Sequence, residues 1–235
     1  MPESKHSHSG EKRVADVVRQ LVFGIGHGLI SILGLTIGVA SATSSSRTVA
    51  IAAVVGMLTG LATLVTLQFL SAKTQKQIYE HMIEKEDEEF EKWPDIEKSE
   101  MRKYYIEEGF TSQEADSFVN RLSLNRDRWL KAHVTHILEF IPGKTGNPIR
   151  ESVVLGLSHL LGSFIALLPY LILTDLNRAI WASIAASTIA LLAVSGLRTK
   201  FAGGRWYVGA AEFLGFGIVA LFVGYLVGIL LKGFI

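Results

Sequence analysis

The sequence predicts an all-α, polytopic membrane protein with five transmembrane helices and a helical insert between the second and the third. Three observations carry that expectation. No Asp, Glu, Lys or Arg occurs in residues 20–46, 48–72, 152–174 or 179–197, and between Arg205 and Lys232 the one charge is Glu212. Each run is close to or above the ~20 apolar residues that a helix needs to cross a bilayer. The 235 residues are 49% hydrophobic and only 19% charged, with a mean hydropathy of +0.34, which is too apolar for a soluble chain of this length. The remaining charge is gathered in one place: residues 73–151 hold 17 of the 22 carboxylates, against 13 basic residues.

The elements follow in chain order. Residues 1–18 read as a polar tail expected to be disordered. Residues 19–72 carry the first two transmembrane helices, about 21–42 and 49–72, joined by the tight loop 43–47. Residues 1–19 are polar and the next apolar run is too long for a signal sequence, so no cleavable signal is expected. The insert, 73–151, is helical by pattern. Its first helix covers 74–93 and stops before Pro94, a residue suited to the first turn of the next helix. That second helix runs over about 95–108 and ends at Gly109. Thr111 or Ser112, with Glu114 close behind, caps a third, and 129–140 forms a fourth, ended by Pro142 and Gly143. Residues 152–235 hold helices 3 to 5, at about 153–173, 179–197 and 208–231, with a kink expected at Pro169. Lys and Arg cluster in the tail, the insert and the 198–205 loop, whereas the two opposite loops carry one Arg each. By the positive-inside rule the N-terminus and the 73–151 domain are cytoplasmic.

Composition also excludes. With no cysteine there is no disulfide framework, zinc ribbon, thiolate copper site or cysteine nucleophile. An acidic insert in a chain of net charge +1 points to cations rather than nucleic acid.

Four constellations carry the chemistry. Glu86 with Glu89, and Glu97 with Glu100, are each spaced i, i+3, so each pair shares one side of a helix. Two such helices meeting at Trp93-Pro94 set four carboxylates toward one another, an arrangement that suits a divalent cation. The alternative is a solvated acidic helix interleaved with Lys85, Lys92 and Lys98. His133, His136 and Glu139 form a second stripe at i, i+3 steps, matched to borderline ions such as Fe²⁺, Mn²⁺ or Zn²⁺, or else plain helix surface. Inside the spans lie His27, Gln68, His159 and Glu212. His27 can stay neutral and ligate metal. His159 reads better as a satisfied structural histidine, and Glu212 faces the bundle or sits at the interface. Lastly, Gly24, Gly28, Gly34 and Gly38 on span 1 form a close-packing surface, within one protomer or across a dimer.

These residues resemble a known family. Phe23-Gly24-Ile25-Gly26-His27-Gly28-Leu29-Ile30-Ser31, followed by Leu33-Gly34-Leu35, is similar to the first-span motif F-G-x-x-D-G-L-V-S-x-L-G-L of the vacuolar iron transporter family. Gln68-Phe69-Leu70-Ser71-Ala72-Lys73-Thr74-Gln75-Lys76 resembles its G-E-Y-V-S-V-x-S-Q-R. Glu86, Glu89, Pro94, Glu97, Glu100, Tyr105 and Gly109 follow at the family's spacing, as do Asn147-Pro148, Leu168-Pro169-Tyr170, Glu212, Gly217, Tyr225 and Gly228. The resemblance implies a homodimer of five-span protomers that moves Fe²⁺ or Mn²⁺ out of the cytoplasm in exchange for protons, with span 1 against its symmetry mate. It implies that Glu86, Glu89, Glu97, Glu100 and Glu139 are metal ligands, with Thr135 and His136 where the family often has methionine. It also marks departures: His27 stands at the pore aspartate, Gln68 at the span-2 glutamate and Gln77 at another acidic position.

The expectation is therefore a divalent-metal transporter with His27 and Gln68 at the pore, Zn²⁺ and Co²⁺ being further candidate ions. The alternative is a membrane-anchored metal buffer or sensor that does not transport. No catalytic residue and no organic cofactor is expected; the partners are metal ions, the bilayer and a second copy, and no nucleic acid. The membrane would be the plasma membrane of a prokaryote or a vacuolar or organellar membrane of a eukaryote.

Overall fold

The computed structural model describes residues 4–136 and 147–233, with side chains from Val14 onward. Eight helices follow in order: α1 Ser4–Ala42, α2 Ser46–Lys92, α3 Pro94–Glu107, α4 Ser112–Leu122, α5 Arg126–His136, α6 Pro148–Ile172, α7 Leu176–Ala202 and α8 Trp206–Lys232. No strand occurs among the described residues. α1 from Val14, α2, α6, α7 and α8 are long and apolar enough to cross a membrane. The chain divides into two compact units, residues 70–147 and the remainder.

Three boundaries differ from expectation. α1 is helical from Ser4, so the stretch expected as a disordered tail extends span 1 instead. α2 passes without interruption through the expected boundary at 72–73, because no Gly or Pro occurs between Gly60 and Pro94 to stop it. The helix expected over 129–140 begins earlier, at Arg126, and its expected end lies outside the described residues.

In the membrane unit, α6 supplies the shared face. Its buried Ser152, Gly156, His159, Ser163, Ala166 and Tyr170 recur every three or four residues. α1 crosses this face at backbone contact: a Cβ on Gly28 would lie 2.4 Å from the His159 carbonyl oxygen and 2.7 Å from the Ser163 nitrogen. Gly24 likewise faces Leu155 and Ser158 of α6, while Gly34 and Gly38 face Ala220 and Gly224 of α8. All four glycines thus pack against helices of the same chain, the first of the two alternatives left open by the sequence. A cluster of Ile32, Val49, Ala53, Leu167, Tyr170 and Ala179 joins α1, α2, α6 and α7.

Pro169 lies within α6, where it removes one backbone donor. Serines from neighbouring helices satisfy carbonyls around it. Ser183 Oγ donates to Ala166 O at 2.7 Å, and Ser46 Oγ donates to Leu173 O at 3.0 Å and Tyr170 O at 3.3 Å. Glu212 is half-exposed and paired with Arg198 across the α7–α8 hairpin.

In the other unit, Phe90, Met101, Tyr105, Ala115, Val119 and Trp129 form the core. Thr111 and Glu114 make a reciprocal capping box at the start of α4. Gly109, at φ 97°, takes the left-handed conformation that ends α3. Arg126 ties the start of α5 to α2 through Asp87 at 2.9 Å and Glu91 at 2.8 Å.

The α1–α6 crossing yields a test. Gly28→Ala should destabilise the full-length protein by about 1–3 kcal/mol, the usual cost of overpacking, because backbone atoms stand in the way. Gly196→Ala, with open space around it, should be neutral or slightly stabilising. Thermal unfolding in detergent checks both, and equal effects would contradict the crossing.

Candidate metal centre

The centre is built by the turn at Trp93. α2 presents Glu86 and Glu89 near its end, and Pro94 at the first position of α3 reverses the chain so that Glu97 and Glu100 return beside them. α5 closes the third side. Phe90 stacks on Trp129 with ring centroids 4.1 Å apart and meets His133 edge-on at 5.2 Å, fixing the imidazole between the two acidic helices.

His133 and Glu97 are only 1% and 4% exposed. His133 Nδ1 lies 3.0 Å from Glu86 Oε2, and Nε2 lies 3.1 Å from Glu97 Oε2. Glu100 stands at the rim, 3.9 Å from Nε2. Despite these short distances, none of the four inner atoms is aligned in a hydrogen bond. Burial pushes His133 down to about 4, against a smaller opposing influence of Glu89. Burial also pushes Glu97 up to about 7, reinforced by the charges of Glu100, Glu86 and Glu89. A neutral imidazole has one N–H and faces two carboxylates, so one contact is lone pair against lone pair once both are ionised. Ligand atoms of Glu86, Glu97 and His133 all lie within 4.8 Å of one another, close enough to share one metal ion.

Two other expected ligands stand outside this triad. Glu89 pairs with Lys85 at 3.3 Å. His136 rests against Tyr104 and Tyr105, with centroids 5.2 and 6.0 Å away, rather than in the cluster. Glu139 lies outside the described residues.

In the membrane unit, His27 Nδ1 approaches His159 Nδ1 to 3.3 Å. His27 belongs to an exposed stripe of α1 with Phe23, Ser31 and Leu35, which borders an open groove of about 1360 Å³ along α7 and α8. Gln68 does not join this pair in hydrogen bonding; its Nε2 donates to Glu151 Oε2 at 3.1 Å.

The VIT family matches residues 18–229 of the chain. The chain belongs to this family. Among relatives, "Vacuolar iron transporter 1" of Oryza sativa subsp. japonica is 25% identical over 222 residues, covering 94% of this chain and 88% of the relative. "Vacuolar iron transporter 1" of Arabidopsis thaliana is 26% identical over 216 residues, covering 92% and 84%. "Vacuolar iron transporter 1" of Eucalyptus grandis is 23% identical over 205 residues, covering 87% and 82%.

Two residues of this VIT-family chain escaped sequence reasoning: His159 as the partner of His27, and Glu151 as the partner of Gln68. The small-residue stripe 152–156–163–166 of span 3 was legible and carries His159 on its face. Glu151 is the last charge before a charge-free run, a position with no distinguishing pattern.

The raised Glu97 gives a pH test. The folded state holds this proton more tightly than the unfolded chain, so its contribution is full below the ordinary carboxylate range and is lost as pH rises through about 7. His133, pushed down to about 4, acts in the opposite sense only up to the ordinary histidine range. Above that range Glu97 acts alone. With chelator present, the stability of the wild type relative to Glu97→Gln, a difference in which the His133 contribution cancels, should fall by about 1 kcal/mol between roughly pH 6 and 8. Parallel pH curves for the two proteins would contradict this assignment.

Proposed function

We propose that this protein moves divalent transition-metal ions of the Fe²⁺/Mn²⁺ type out of the cytoplasm in exchange for protons. In this reading the unit of residues 70–147, which overlaps the expected 73–151 domain, is cytoplasmic and gathers the ion. The observation that carries it is the buried Glu86–His133–Glu97 triad, whose inner atoms face one another without hydrogen bonds. A divalent cation removes the conflict: it accepts two carboxylate oxygens and one imidazole nitrogen, a mixed set suited to borderline metals. Glu89 and Glu100 add negative charge at the rim. The names of the relatives, all vacuolar iron transporters, supply the class of cargo. The Lys and Arg bias of the loops supports the orientation.

His27 is the ligand of the spans in this reading, in place of the carboxylate expected from the family pattern. Its stripe, with Ser31 one turn on, puts polar groups on the outer face of a membrane helix, where lipid is a poor neighbour. A second copy covering that stripe gives a two-fold homodimer with both His27 rings at its seam. The membrane follows from the organism, vacuolar or organellar in a eukaryote and plasma membrane in a prokaryote.

Flux of Fe²⁺ or Mn²⁺ into proteoliposomes, with a pH indicator inside, tests transport directly. Wild type should move metal and protons in opposite directions. Calorimetry on the full chain should show at least tenfold weaker ion binding for Glu97→Ala with Glu100→Ala. Binding without flux would transfer the reading to a membrane-anchored buffer or sensor. Equal binding by both proteins would remove the triad. The chain has no cysteine, so a single cysteine at Ser31 should crosslink between copies, and its failure to do so would contradict the seam.

A further inference from the structure

We infer that His159, buried in span 3, is the second metal ligand of the spans, so that each protomer holds a two-imidazole site formed by His27 and His159. This deepens the transport reading and rests on it for the identity of the ion.

His159 is fully buried and has hydrogen-bond partners at both ring nitrogens. Its Nε2 lies 3.3 Å from the carbonyl oxygen of Met57, an acceptor with no proton to give. In the neutral ring the single N–H therefore sits on Nε2, with Ser163 Oγ nearby at 3.4 Å. Nδ1 of His159 therefore carries the lone pair and accepts from Nδ1 of His27, at the place where an ion would bind both rings. Metal-bound histidines have this disposition: one nitrogen ligates, and the other donates to a carbonyl or carboxylate that fixes the ring.

The distance agrees. Two nitrogens each about 2.0–2.1 Å from one ion, at the tetrahedral angle, stand about 3.3–3.4 Å apart. The observed separation of 3.3 Å matches this spacing. The rings are tilted by 50° with centroids 5.3 Å apart, so they do not stack.

The fold holds His159 for this task from two neighbouring helices, α1 and α2. A Cβ on Gly60 of α2 would lie 2.7 Å from His159 Nε2, so the absent side chain provides the notch in which the ring sits. Gly28 of α1 brings the His27 turn onto the backbone of His159 itself. His27 is exposed on the groove, so an ion arriving there meets His27 first. A neutral pair of imidazoles favours Co²⁺, Zn²⁺ and Fe²⁺ over Mn²⁺ and rejects Mg²⁺ and Ca²⁺.

The test uses Co²⁺ as the probe on full-length protein in detergent, in a background carrying Glu97→Ala and Glu100→Ala. Equilibrium binding and the cobalt absorption spectrum are recorded for this background and with His27→Ala, His159→Ala, His159→Gln and the double alanine variant added. The glutamine keeps an N–H for Met57 O while removing the ligating nitrogen, and it decides the matter if His159→Ala does not fold. The expected result is at least roughly tenfold weaker binding at one site for each single variant, with no further loss in the double variant. Full affinity and an unchanged spectrum in both His159 variants would overturn the inference and make His159 a structural residue. Flux in proteoliposomes separates the two readings: a wild type that binds Co²⁺ at the pair without moving it sustains the site and removes transport.

Discussion

No water reaches a polar group in the hydrocarbon core of a bilayer, so every donor and acceptor there must find its partner within the protein. Much of the membrane unit follows from this constraint. Carbonyls beside Pro169 are met by Ser46 and Ser183 from neighbouring helices. His159 is met by Met57 O in a notch left by Gly60. The glycines of α1 are spent on bringing backbones together inside one chain, and the polar positions His27 and Ser31 are left on the outer face. Each has a partner within the chain, His159 Nδ1 and Gly28 O, yet both remain exposed on the groove, where lipid is a poor neighbour.

The unit of residues 70–147 solves a different problem. Water can solvate carboxylates, so their number alone says little. What distinguishes Glu86 and Glu97 is that they are turned away from water onto a single imidazole between them. Burial works against the charged form of both Glu97 and His133. The aromatic contacts of Phe90 keep the imidazole in place. The resulting geometry is a poor salt bridge and a suitable set of metal ligands.

Helix count and class were legible because charge-free runs of bilayer length admit one reading. The helix ends at Pro94 and Gly109 were legible because those residues constrain φ. The continuity of α2 was less so, since a change in composition at Lys73 suggests a boundary where the backbone has none. Within the site, the i, i+3 carboxylates were readable from spacing, yet spacing does not say which member of a pair turns inward. Glu97 is buried and Glu100 exposed; His133 enters the cluster and His136 meets tyrosines. The His27–His159 contact joins residues 132 apart in sequence, and no local pattern reports such a pairing.

The central claim is that metal has two stations in this chain, one among Glu86, Glu97 and His133 and one between His27 and His159. Crystals of the full-length protein grown with Co²⁺ and measured at the cobalt absorption edge locate the ion without reference to any variant. The account predicts an anomalous peak within bonding distance of His133 and both carboxylates, and a second between the Nδ1 atoms of His27 and His159. Cobalt bound elsewhere, with His133 and His27 keeping their present neighbours, would contradict it.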